Sequence, residues 1–150
     1  MQVQISADRT RRTSLLVIVA MSTLGPALPG AQQEPIDVTI DIKPGDEPTV
    51  IDPRSGGMIP VAILSSPEFD ATSVDPGTVR FGAIGDEAAP VRSMREDIDQ
   101  DGDTDLLFLF RAPQTHISCG DTSASLTGNT RSGQAIAGTE SFTTEGCGSA

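Results

Sequence analysis

Between Asp97 and Asp105 every second residue is an aspartate, and the chain passes directly from that run into Leu106-Leu107-Phe108-Leu109-Phe110. Like charges packed this closely repel one another unless a cation sits among them. A hard divalent cation with oxygen ligands suits such a cluster, and Ca²⁺ is the usual occupant. The apolar run is short, rich in Leu and Phe, and stopped by Ala112-Pro113. Those features predict a buried strand rather than an amphipathic helix. An acidic turn abutting a buried strand predicts a β-hairpin clipped by metal.

The run Asp97-Ile98-Asp99-Gln100-Asp101-Gly102 fits the Ca²⁺-loop signature D-x-[DN]-x-[DN]-G. Its continuation excludes an EF-hand, because the twelfth position, where a bidentate Glu belongs, is Phe108. The spacing resembles the D-x-[DN]-x-D-G-x-x-D loops of integrin-type β-propellers and FG-GAP repeats. That resemblance implies ligation by the side chains of Asp97, Asp99, Asp101 and Asp105 and by the backbone carbonyl of Asp103. Gly102 would take the turn conformation that a Cβ disfavours. The competing reading of the same residues is an acidic, solvated turn that holds no metal.

The N-terminus has the plan of a signal peptide. Arg9, Arg11 and Arg12 precede an apolar stretch from Ser14 to Leu24, and Pro26, Pro29 and Gly30 break it before Ala31-Gln32. The stretch is short for a membrane span. Residues 1–31 are therefore expected to be a signal peptide cleaved after Ala31, with Ala27 the second choice. The Arg11-Arg12 pair loosely resembles a twin-arginine signal, without the Phe that usually follows. Cleavage would remove Arg9, Arg11, Arg12 and Asp8, leaving 7 of 10 basic and 20 of 21 acidic residues and shifting the net charge from −11 to −13. A surface this acidic argues against nucleic acid and anionic membranes as partners. No second apolar stretch predicts a membrane anchor after cleavage. The expected location is secreted, periplasmic or cell-surface.

Cys119 and Cys147 are the only cysteines. Paired cysteines in an exported chain predict a disulfide, which on the chain-entropy view stabilises by roughly 3–4 kcal/mol. The alternative, Cys119 as nucleophile with His116 as base, fits poorly. Residues three apart on a strand face opposite ways, and no Asn or Asp stands ready to orient the imidazole. A lone histidine is more often structural than catalytic. Asp121 is read as capping its own turn, with a contribution to the metal site left open.

The 119 residues after Ala31 suit one domain. Gln32 to Pro35 reads as a short leader and 36–150 as the domain. Ile36 to Ile42 alternates strictly. Further short runs follow at Thr49 to Ile51, Met58 to Leu64, Thr78 to Gly82, Pro90 to Met94, Leu106 to Phe110, Ser123 to Thr127 and Ser141 to Thr144, separated by Gly, Pro and Asp turns. Pro60 suggests an edge or a bulge. No stretch has a convincing helical period. The pattern predicts an all-β antiparallel β-sandwich of about seven or eight strands, immunoglobulin-like or Greek-key, with a small barrel as the alternative.

The strings VTIDIKPG (38–45), GMIPVAIL (57–64), SVDPGTVRFG (73–82), the acidic loop with Leu106, ISCGDTSASLTG (117–128) and the late IAG…GC (136–147) together resemble an uncharacterised family of bacterial secreted β-domains. The resemblance spans nearly the whole domain. It implies an extracellular β module carrying the Ca²⁺ loop, and little about activity.

Trp and Tyr are absent, and the aromatics are Phe69, Phe81, Phe108, Phe110 and Phe142. A sugar-binding face built on exposed Trp or Tyr is therefore disfavoured. No G-x-S-x-G elbow, H-E-x-x-H or phosphate-binding glycine loop occurs, and zinc would lack ligands once the cysteines pair. The expected function is a non-enzymatic, Ca²⁺-binding exported module for binding, adhesion or surface structure. Its partner is expected to be a protein or a cell surface, and the chain itself a monomer. The alternative is a small secreted hydrolase in which Ca²⁺ is structural and the catalytic acids lie among the many Asp and Glu residues.

Overall fold

A computed structural model describes residues 34–148, so the expected signal peptide and its cleavage site lie outside the described residues. Strand β1 (Ile36–Asp37) is followed by β2 (Ile40–Ile42), β3 (Val50–Ile51), β4 (Met58–Ile63) and β5 (Arg80–Gly82). Then come β6 (Arg92–Glu96), β7 (Asp105–Arg111), β8 (Ser123–Asn129), β9 (Ala135–Ser141) and β10 (Thr143–Thr144). One four-stranded sheet has the order β2-β4-β7-β6 and the other β1-β9-β8-β5, while β3 and β10 pair separately and in parallel. All neighbours in the first sheet, and β9-β8-β5 in the second, are antiparallel. With the seven longer strands taken in chain order, the sheets have the A-B-E-D and C-F-G connectivity of a constant-type immunoglobulin sandwich.

The core follows from the two-residue alternation of strands. Ile40, Ile42, Ile59, Val61, Ile63, Leu106, Phe108 and Phe110 are buried on the first sheet, and Phe81, Ala124, Leu126 and Ile136 on the second. Phe81 of β5 meets Phe110 of β7 across the layers with ring centroids 5.0 Å apart, and Phe108 stands 6.2 Å from Phe110. With no Trp or Tyr, these rings supply the core's largest apolar surfaces, and each aromatic pair adds about 1 kcal/mol beyond its buried area.

Two expectations need correction. Ile36 to Ile42 is not one strand. The Val38 amide donates to the Ala137 carbonyl of the second sheet, whereas the Thr39 carbonyl accepts from the Leu64 amide after β4. The chain changes sheets at Val38–Thr39, and the apolar alternation runs through it because Val38 before the change and Ile40 and Ile42 after it enter the same core, while Ile36 is exposed. Pro60 lies on neither an edge nor a bulge, since β4 runs between β2 and β7. Its carbonyl accepts from the Lys43 amide, one residue past the end of β2. The missing N–H therefore faces the point where β2 stops and removes no ladder bond.

The crossing depends on Gly138. A Cβ at that position would lie 2.6 Å from the Val38 carbonyl oxygen and 2.8 Å from Ile40 Cγ2. Gly138→Ala should destabilise the fold by about 1–3 kcal/mol through overpacking, read as a lower urea midpoint at unchanged slope. An unaltered midpoint would show that the crossing relaxes freely.

Candidate metal centre

The acidic run forms the connection from β6 to β7, whose last cross-strand pair is Glu96 with Asp105. Residues 97–104 therefore form a long hairpin loop. Gln100 and Gly102 both take positive φ, 61° and 96°. Nothing lies within 4 Å of a Cβ built on Gly102, so the glycine is required by its left-handed backbone and not by space.

The loop is organised by its own carboxylates. Asp97 accepts from the Asp101 amide at 3.1 Å and the Gly102 amide at 2.9 Å. Asp101 accepts from the Asp103 amide at 2.9 Å, and Asp99 accepts more weakly from the Asp101 amide at 3.3 Å. Asp105 differs from the rest. It is fully buried, and its two oxygens accept from the Ser65 amide at 2.7 Å and the Ile98 amide at 2.8 Å. The Ser65 hydroxyl then donates to the Thr104 carbonyl and accepts from the Ala71 amide. One buried carboxylate thus ties the base of the loop to the segment leaving β4.

Asp97, Asp99 and Asp105 each offer an oxygen, and these atoms lie within 4.8 Å of one another. Two oxygens on one Ca²⁺ at 2.3–2.6 Å are at most about 5 Å apart. The three carboxylates therefore fit a single coordination sphere and could hold a metal ion. The Asp101 side chain lies against Asp99 and outside this triplet. The Asp103 side chain is exposed and is not part of the group either.

Crowding shows in Asp99. Loss of hydration comes first, then a hydrogen bond shared with Asp101 and the charges of Asp101 and Asp105, and together they raise its pKa above the ordinary aspartate value. The folded chain then binds that proton more tightly than the unfolded chain does. Stability from this group is present below the unfolded pKa and lost as pH rises through the folded one. A second acidic group, Asp41, Glu47 and Glu140, lies beside β2 and the end of β9. Burial raises the pKa of Asp41, assisted by the charge of Glu47. Burial likewise raises that of Glu140, against the lowering hydrogen bond from the Ile42 amide and with help from the charges of Asp41 and Glu47. Glu140 accepts from the Ile42 amide at 2.8 Å, joining β9 to β2.

The other singled-out residues do not converge on chemistry. Cys119 and Cys147 form a disulfide with Cα atoms 5.7 Å apart, which removes Cys119 as a nucleophile. His116 is exposed at a left-handed position, φ 58°, closing the 3₁₀ turn Ala112–Thr115. Asp121 accepts from the Ser118 amide at 2.8 Å, the turn cap expected of it, and is not part of the metal group. An open cleft of about 840 Å³ borders the loop between Gly102–Thr104 and the segment Ser65–Thr72, with Phe69, Asp70 and Arg95 on its walls. No helix among the described residues is long and apolar enough to cross a membrane. No family model, curated protein or solved structure matches the chain.

Asp105→Ala should cost the metal-free protein about 3 kcal/mol, because it strands two amide donors in a buried site. Chemical denaturation in chelator measures this, and a loss under about 0.5 kcal/mol would mean water replaces the carboxylate. Asp99→Asn should have the opposite sign, raising the metal-free melting temperature at pH 7 and leaving it unchanged near pH 3. Equal melting temperatures for the two proteins at pH 7 would show that Asp99 carries no strain.

Proposed function

We propose that the protein is an exported, Ca²⁺-binding β-sandwich module with a non-enzymatic role in binding, adhesion or surface structure. The observation that carries this reading is the convergence of Asp97, Asp99 and Asp105 within 4.8 Å on one hairpin loop. Ca²⁺ accepts six to eight oxygens in a flexible geometry. In the proposed site Asp97, Asp99, Asp101 and Asp105 contribute side chains and Asp103 its carbonyl, the set implied by the likeness to integrin-type and FG-GAP loops. Asp101 lies against Asp99, at the border of the triplet. Ca²⁺ neutralises the crowded carboxylates, and its attraction replaces their repulsion.

Export is supported by the disulfide, which belongs to an oxidising compartment. It is supported also by the N-terminal charge and hydropathy pattern and by the likeness to secreted bacterial β-domains. Outside the cell Ca²⁺ is plentiful enough for a weak site to stay filled. The cleft beside the loop, with Arg95 and Asp70 on its walls, offers a protein or cell-surface partner a polar surface that the metal would hold in shape.

Adding Ca²⁺ to chelated protein should raise stability by about 2.7 kcal/mol at a hundredfold excess over Kd, a melting shift of roughly 10 °C. Asp101→Ala should abolish that shift and leave the metal-free stability close to that of the parent. A flat titration of the parent protein would end the metal assignment. A full Ca²⁺ response in Asp101→Ala would remove that residue from the ligand set.

A further inference from the structure

The first sheet ends in β6, Arg92-Ser93-Met94-Arg95-Glu96. Among the described residues it pairs only with β7. At five residues it is the longest edge strand of either four-stranded sheet, since β2, β1 and β5 have three, two and three. Every residue in it is exposed except Met94, which is half-buried. An edge of this kind presents unpaired backbone donors and acceptors to any strand that can align with it.

Charges on an edge usually guard it, and Arg92 and Arg95 have that appearance. A guard works by repelling a second copy, which requires one sign of charge along the edge. Here Arg92 and Glu96 stand symmetrically about Met94. When two such strands meet antiparallel around a two-fold axis at Met94, Arg92 of each lies opposite Glu96 of the other. Ser93 then faces Arg95, and Met94 faces Met94. Cross-strand neighbours of opposite charge stabilise an antiparallel pair, whereas like charges would oppose it. The register with β7 places Arg92, Met94 and Glu96 on the face carrying Leu109, Leu107 and Asp105. Leu107 is half-buried like Met94, so pairing would also join the Met94–Leu107 strips of both copies into one apolar band.

We infer that β6 is a self-association edge: two copies of this chain pair β6 to β6 antiparallel about Met94, joining two four-stranded sheets into one of eight. The contact is isologous, so it closes at the dimer and does not propagate. A single short strand makes a small interface of the weak, concentration-dependent class. The monomer expected from the sequence is the dilute form. None of this requires the neighbouring loop to hold metal.

The test is sedimentation of the protein and two charge variants across a concentration series in one calcium-containing buffer. The parent should move from the mass of one chain to that of two. Arg92→Glu and Glu96→Arg should each weaken the dimer at least tenfold, because each sets two pairs of like charges across the axis. Mixed in equal amounts, the two variants should dimerise again, because both contacts then join opposite charges. Melting curves establish that each variant is folded. Met94→Cys gives an independent readout, since its new thiol should link two copies under mild oxidation while Cys119 and Cys147 stay paired. A parent that remains monomeric throughout its soluble range overturns the inference. So do variants that dimerise like the parent, a mixture that stays monomeric, or a Met94→Cys protein that does not cross-link.

Discussion

The phase of β7 sets both the core and the loop. Phe108 and Phe110 are fully buried against the opposite sheet, and the pleat of the strand then assigns every other residue its side. Leu107 and Leu109 turn to the outer face, and so does Asp105 at the head of the strand. There its carboxylate meets the Ser65 and Ile98 amides. A slip of one residue would carry Asp105 into the core and the phenylalanines into water, which makes the register expensive to change. The apolar core therefore holds Asp105, the one buried carboxylate among the described residues, where the Ser65 and Ile98 amides satisfy it.

That arrangement divides the five aspartates by role, although they look equivalent in sequence. Asp105 is structural before any cation arrives, because it ties the hairpin to the end of β4. Asp97 shapes the loop by accepting from the amides of Asp101 and Gly102. Asp99 and Asp101 repel each other and gain most from a cation. In the proposed site, metal binding and loop folding would thus be partly separable: the backbone hydrogen bonds give the loop its path, and the residual repulsion would give a cation its reason to bind.

The sandwich was legible because the strands announce themselves locally, through short apolar runs bounded by Gly, Pro and Asp. The acidic loop and the disulfide were legible for the same reason, since spacing and count carry them. What escaped is non-local. Nothing in Ile36 to Ile42 marks the change of sheet at Val38–Thr39, because a strand that swaps partners while facing one core keeps its alternation. The parallel pairing of Val50-Ile51 with Thr143-Thr144 joins segments more than ninety residues apart. Strand β9 is weakly signalled because Gly138 interrupts its apolar pattern, and the reason for that glycine lies on another strand. The burial of Asp105 was hidden because Ser65, which makes it possible, is forty residues away.

Two features of the hairpin address different neighbours. The loop gathers negative charge that a cation would neutralise, whereas β6 carries opposite charges at Arg92 and Glu96, symmetric about Met94, and favours its own copy. Both lie on the same two strands, so the loop's state bears on the edge. Metal-free, the loop places extra negative charge next to Glu96, the residue that would meet Arg92 of a second copy. That raises the attraction for arginine and also the general repulsion between two acidic molecules, and the two effects differ in range. Exposed charges beyond about 8–10 Å are largely screened at physiological salt, while a cross-strand pair in contact is screened less. Salt should therefore weaken the repulsion more than the pair. A module this acidic can on this account associate through one edge and remain soluble over the rest of its surface.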